Sequence, residues 1–302
     1  MSGGAGHLGE LAALGTAVCW TFSALSFTAA GKRVGSLNVN LLRLALALVM
    51  LAGYGWIVRG HPWPTDASGT TWRWLLLSGF IGFFIGDLCL FEAFVLVGTR
   101  LSTLLMSLAP PLTAVSGWLI LGERLSGRDW LGMTITVTGT ILVLVERHGE
   151  TAAPHDVRQL RWGVLLGIGA AAGQAVGLVF SKRGMNGYDA FAATQIRVVA
   201  GLAGFVALFA VRHRWRELGA AVRQWPAVWR IAVGAVFGPF VGVGLALVAV
   251  QRIPTGVAAT IIALVPVFVI PPTMIWHREK IGWRALVGTL AAVGGVGLLC
   301  LK

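Results

Sequence analysis

Charge is what this chain has least of. Of its 302 residues only 12% are charged, about half the share carried by an ordinary soluble domain. Hydrophobic residues make up 56%, and the mean hydropathy is +0.79. No soluble core absorbs that much apolar surface, so the surplus is meant for lipid. Acidic residues are scarcer still, 12 against 24 Lys and Arg, which leaves a net charge of +12. That balance does not point to nucleic acid. The basic residues are scattered between apolar runs, with no basic stripe and no DNA- or RNA-binding motif. Loops facing anionic lipid account for them better.

Cysteine is nearly absent. Cys19, Cys89 and Cys300 all sit inside apolar runs, and no C-x-x-C spacing occurs. That excludes a disulfide framework and leaves no metal motif. Neither H-E-x-x-H nor G-x-x-x-x-G-K-[ST] is present, so the chain is neither a zinc protease of that class nor a self-contained ATP-driven pump. Gly86-Asp87 and Tyr188-Asp189 superficially match the aspartate motifs of intramembrane proteases. The match fails because position 84 is Phe and the order along the chain is reversed. No enzyme activity, cofactor or metal is expected. No basic segment precedes the first apolar stretch, so residues 11–30 are read as a retained span rather than a cleaved signal.

What the chain does have is long apolar runs. About 20 residues cross a bilayer as a helix. Ten runs qualify: 9–30, 38–58, 72–97, 100–121, 129–146, 161–181, 189–211, 229–250, 254–276 and 283–301. Every Trp except Trp20 lies near a span end or in a loop, as in an interfacial aromatic belt. The side holding both termini carries fewer Lys and Arg than the other, which by the positive-inside rule places the termini outside the cytoplasm.

The chain also contains one block twice. Thr99, Pro110, Glu123, Gly132 and Gly139 recur 156 residues later as Thr255, Pro266, Glu279, Gly288 and Gly295. Gly82 and Gly86 recur as Gly238 and Gly242, Arg43 as Arg197, and Lys32-Arg33 as Lys182-Arg183. The expected fold is therefore an all-α membrane protein of ten transmembrane helices. It consists of two five-helix repeats, residues 1–150 and 151–302, around a central cavity. Five is odd, so the second repeat enters from the opposite side and the repeats are inverted. Inverted repeats are the usual architecture of alternating-access transporters.

The repeat block resembles a known module. Leu121-Gly122-Glu123-Arg124-Leu125 has a proline thirteen residues before the Glu and glycines nine and sixteen after it. With Glu92-Ala93-Phe94 running to Thr99, and Arg43 early in the second span, this resembles the EamA module of the drug/metabolite transporter superfamily. The second copy departs from it at Trp276-His277-Arg278-Glu279-Lys280, which has no Gly before the Glu. In length and character the chain is similar to the aromatic amino-acid exporters of that superfamily. The resemblance implies a multi-pass protein of the bacterial inner membrane, with lipid and a small-molecule substrate as its partners. It would export amino acids, aromatic and other neutral ones, or similar metabolites. The alternatives are an exporter of bulky cationic drugs and, in another class, a channel.

Candidate residues divide by whether they repeat. A substrate is not two-fold symmetric, so features found once are the better substrate candidates. Asp87 lies deep in the third span, where charge is costly. Its repeat position is Val243. Phe83, Asp87 and Phe91 share a helix face. This carboxylate among rings either binds a substrate ammonium, carries a proton, or pairs structurally with an Arg or a hydroxyl. Trp20, Thr21 and Ser23 in the first span, Ser102, Thr103, Met106 and Ser107 in the fourth, and Gln174 in the sixth complete the substrate set. Repeated features read mainly as scaffold. The glycine pairs permit close packing. Arg43 and Arg197 snorkel or bond carbonyls, with carboxylate binding by one of them as the alternative. Pro110 and Pro266 either bend their helices around the cavity or only shape packing. Glu123 and Glu279 are either gate salt bridges or local helix caps.

Overall fold

The computed structural model describes residues 7–146, 157–268 and 283–300. Glu279, Pro271 and Pro272 lie outside the described residues. Within them the chain is helical, without strands. The elements are α1 Leu8–Val34, α2 Ser36–Arg59, α3 Gly69–Gly98, α4 Leu101–Leu121 and α5 Gly127–Glu146. They continue as α6 Val157–Met185, α7 Ala190–Val211, α8 Trp215–Val222, α9 Trp225–Arg252, α10 Thr255–Phe268 and α11 Trp283–Cys300. Eight are long and apolar enough to cross a membrane. In addition, Thr255–Phe268 and Leu286–Cys300 are shorter apolar helices. The short helix α8 lies in the Arg-rich connection between α7 and α9.

Helix ends follow local chemistry more than hydropathy. The third span starts at Gly69, earlier than hydropathy suggests, because Ser68 caps it by accepting from the Thr71 N–H at 3.1 Å. Asp189 caps α7 in the same way, accepting from Ala192 at 2.8 Å. Between α3 and α4 there is only a two-residue connection, residues 99–100. Gly98 alone, at φ 76° and ψ 166°, turns the chain, a conformation that a side chain resists.

The sequence places Pro110 and Pro266 in the interior of kinked helices. Instead, α4 breaks at Ser107–Leu108, and Pro110 opens the first turn of the segment Ala109–Leu121. A missing N–H costs nothing in a first turn. Helix α10 breaks at the repeat-equivalent place, before Val265–Phe268, which contains Pro266. A second matched irregularity is a π-helical stretch, Phe80–Gly86 in α3 and Val236–Phe240 in α9. The repeated glycines Gly82/Gly238 lie within these stretches.

The helices pack in matched pairs. α5 lies on α11, α4 on α10 and α2 on α7, each a helix against its own repeat equivalent. α3 packs on α6 and α1 on α9, which are equivalents of one another. Lipid is as apolar as Leu, so membrane helices associate through close backbone approach. The α5–α11 pair shows this. A Cβ on Gly139 would lie 2.5 Å from both the Ala292 N and the Gly288 O, and one on Gly295 would lie 2.7 Å from the Gly132 O. In the α3–α6 pair, a Cβ on Gly173 would lie 3.0 Å from the Gly86 Cα and one on Gly177 3.1 Å from the Gly82 Cα.

The repeated glycines are thus packing residues, and this can be tested. Gly139→Ala is expected to destabilise the protein by about 1–3 kcal/mol through overpacking. Gly294→Ala, where an added Cβ meets nothing within 4 Å, is expected to be neutral or slightly stabilising. Thermal unfolding in detergent micelles reads the difference.

Candidate functional site

A cavity of about 370 Å³ occupies the centre of the bundle, within the size range of small-molecule sites. Every helix except α8 and α11 contributes to its described lining. It forms because the two matched pairs α3–α6 and α1–α9 are not equally tight. On α6, Ala170, Gly173 and Gly177 let α3 come close. The equivalent positions on α1, at the 150-residue offset, are Trp20, Ser23 and Phe27. These larger side chains hold α9 at side-chain distance, and all three line the cavity.

The wall is mostly apolar, with a few convergent polar groups. Asp87 is ion-paired with Arg43, which donates to its carboxylate. The Arg43 guanidinium also lies over the Phe27 ring, 5.5 Å from its centroid. Arg197 enters from α7 and stacks on Phe83 at 4.7 Å. Gln174 also reaches the cavity. The breaks in α4 and α10 face this space, with Met106, Ser107, Pro110, Ile262 and Pro266 in the lining. Because Pro110 and Pro266 lack an N–H, the Met106 and Ile262 carbonyls have no helical donor.

Comparison with known proteins fits this geometry. The model of the EamA-like transporter family matches the chain twice, over residues 7–145 and 161–301. The chain belongs to the EamA-like transporter family. An uncharacterized transporter from the cobO 3' region of a Sinorhizobium species is 30% identical over 139 residues, covering 42% of this chain and 96% of that one. The uncharacterized transporter YetK of Bacillus subtilis (strain 168) is 23% identical over 270 residues, 88% of this chain and 78% of that one. One crystal structure superposes with a TM-score of 0.73 over 96% of each chain at 19% identity, a likeness of fold alone. This EamA-like transporter is thus a multi-pass integral membrane protein.

Of the eleven candidates for substrate contact, the structure gathers eight around the cavity: Trp20, Ser23, Phe83, Asp87, Thr103, Met106, Ser107 and Gln174. Three are elsewhere. Thr21 is buried and turns its hydroxyl back onto the Ala17 carbonyl at 2.9 Å. Ser102 is fully buried and donates to the Gly98 carbonyl at 2.9 Å, which steadies the turn between α3 and α4. Phe91 packs edge-on against Phe94 at 5.9 Å, and Leu90 takes the cavity position instead. On a helix both the i+3 and the i+4 residue neighbour Asp87, so spacing alone does not choose between them. Glu92 is exposed, away from the cavity.

Repetition misdirected one assignment. It marks Arg43 and Arg197 as scaffold, yet both line the cavity. Their signal was present in the sequence: an arginine inside a span needs a partner or a wet face, and Asp87 is an acid inside a span.

Polar links between the repeats gather at one end of the bundle. The Glu123 carboxylate accepts from the Thr255 N–H at 2.8 Å and from its hydroxyl at 2.7 Å. Lys182 pairs with the same carboxylate at 2.7 Å and donates to the Ile253 carbonyl at 2.8 Å. Glu123 therefore caps α10 and bridges to α6. Gly117 makes room, since a Cβ there would lie 2.4 Å from the Thr255 hydroxyl. Nearby, Arg59 binds Asp66 and Tyr188, and Tyr188 donates to Asp66 at 2.8 Å. Burial first, then its bond to Asp66, pushes the Tyr188 phenol up to about 12, so it stays a donor at physiological pH. Burial raises the Asp66 carboxyl, but the bonds from Tyr188 and Arg59 outweigh it and hold the group below its ordinary value. The cavity residues on α4 end at Thr113, about 15 Å short of Glu123 along the helix.

The Arg43–Asp87 pair makes a prediction. Asp87→Asn leaves two arginines in the wall with no carboxylate. It is expected to cost about 3 kcal/mol, read as a drop in detergent melting temperature. Arg43→Gln combined with Asp87→Asn should recover most of that loss, because it removes the stranded charge.

Proposed function

We propose that this EamA-like transporter is a ten-helix secondary exporter with two inverted halves, residues 1–150 and 151–302. It carries amino acids, aromatic and other neutral ones, or similar metabolites out of the bacterial cytoplasm across the inner membrane. The observation that carries the reading is a central cavity lined from both halves and sealed at one end by links between them. A transporter needs two packings of nearly equal energy, and two copies of one unit provide them. The matched helix pairs support the inverted relation, since a two-fold axis maps α2, α4 and α5 onto their own contact partners.

The cavity favours amino acids over cationic drugs. Asp87 is already engaged by Arg43, so the carboxylate that would attract a cation is occupied. The donorless carbonyls at Met106 and Ile262 suit a small ammonium, and Trp20 and Phe83 suit an aromatic or apolar side chain. The sealed end speaks against a channel, which needs a continuous path.

Two measurements test the reading. In liposomes reconstituted with the full chain and loaded with unlabelled phenylalanine, external radiolabelled phenylalanine is expected to accumulate by counterflow. Equal uptake with and without internal substrate means a pore and sinks the proposal. The second concerns the seal. In a background lacking Cys19, Cys89 and Cys300, an Ala246→Cys probe in the cavity should react with an impermeant thiol reagent from one side of the membrane. Adding Glu123→Gln should open access from the other side, because the amide loses the charge that holds Lys182. Unchanged one-sided labelling would remove Glu123 from the gate.

A further inference from the structure

The charges of the cavity do not balance. Its described lining holds three charged side chains, Arg43, Asp87 and Arg197. Arg43 and Asp87 neutralise one another. Arg197 is 3% exposed. It has no hydrogen bond or ion pair with any described residue, and its Nε is buried without a partner. It stacks on the Phe83 ring, and Asp87 is within electrostatic reach but bound to the other arginine. The room it occupies depends on small residues. A Cβ on Gly82 would come within 3.4 Å of its Nη2, and a Cβ on Gly79 within 2.1 Å of its carbonyl. Glycine on α3 thus admits α7 and leaves the guanidinium beside the cavity.

An unpaired buried guanidinium is costly, and it is tolerated where something else completes it. The rest of the wall does not, because the side chains around it are mainly apolar, among them Trp20, Leu90, Met106, Leu178 and Ile262. A guanidinium presents a planar fork of donors that matches a carboxylate with two parallel bonds. One uncompensated positive charge calls for one negative charge, so a monoanion fits where a phosphate dianion overshoots.

We propose that Arg197 anchors the acid group of the substrate. The cavity takes zwitterions and organic acids with one carboxylate and an apolar body, and it rejects amines that lack the carboxylate. This deepens the transport reading and rests on it only for what the cavity is used for. An amine has no charged anchor of its own, because it reaches Asp87 only by displacing Arg43, and the neutral carbonyls at Met106 and Ile262 hold an ammonium less strongly than a guanidinium holds a carboxylate.

The test is equilibrium binding to the full chain in detergent micelles, by calorimetric titration with four probes of similar shape: L-phenylalanine, 3-phenylpropanoate, L-phenylalaninamide and phenethylamine. The two acids are expected to bind at least about tenfold more tightly than the amide and the amine, the scale of one charge-assisted hydrogen-bonded contact. Arg197→Gln should weaken the acids by about tenfold or more and leave the other two unchanged. If Arg197→Gln does not fold, Arg197→Lys carries the test, since it keeps the charge, loses the fork and should retain only part of the acid preference. The proposal is overturned if the amine binds as tightly as the acids, if no acid binds, or if acid binding survives both substitutions. Counterflow of the same acids separates this from the transport reading. Acids that bind through Arg197 without counterflow refute transport and leave the anchor, whereas equal counterflow by wild type and Arg197→Gln refutes the anchor and leaves transport.

Discussion

The structure depends on how closely its helices approach. In hydrocarbon there is no hydrophobic gain in bringing one apolar helix against another, so contact must come from backbone meeting backbone. Glycine makes that possible at Gly139 and Gly295 between α5 and α11, and at Gly82, Gly86, Gly173 and Gly177 between α3 and α6. The site follows from where this rule lapses. On α1 the positions equivalent to the small residues of α6 are Trp20, Ser23 and Phe27, and the space they hold open becomes the cavity.

The second constraint is the cost of charge in an apolar bundle. The intramembrane acid Asp87 is paired with Arg43, and the breaks before Pro110 and Pro266 fall at the cavity lining. Polar links are concentrated at the sealed end, where Glu123, Lys182 and Thr255 join the two repeats. The architecture thus separates two jobs. Glycine contacts bring helix backbones together, and a few ion pairs and hydrogen bonds link the repeats at one end.

Duplication was a good guide to architecture and a partial guide to chemistry. The unrepeated Trp20, Asp87 and Gln174 all reach the cavity. Arg43 and Arg197 reach it too although they repeat. Asymmetry then arises from what each arginine meets: Asp87 for one, and for the other the Phe83 ring. Thr21 and Ser102 looked like substrate hydroxyls by composition. Each instead bonds the carbonyl four residues back, a local option that Ser and Thr in helices always have.

By itself the sequence determined the membrane class, most of the spans, the two repeats and the family. These rest on hydrophobic length, glycine spacing and motif order, which are local or periodic properties of the chain. The tertiary structure alone decided which charges meet. Arg43 and Asp87 are 44 residues apart, and Thr255 and Glu123 are 132 apart. Such contacts leave no local trace, because they depend on which helix faces lie together and on how closely glycine lets the backbones approach.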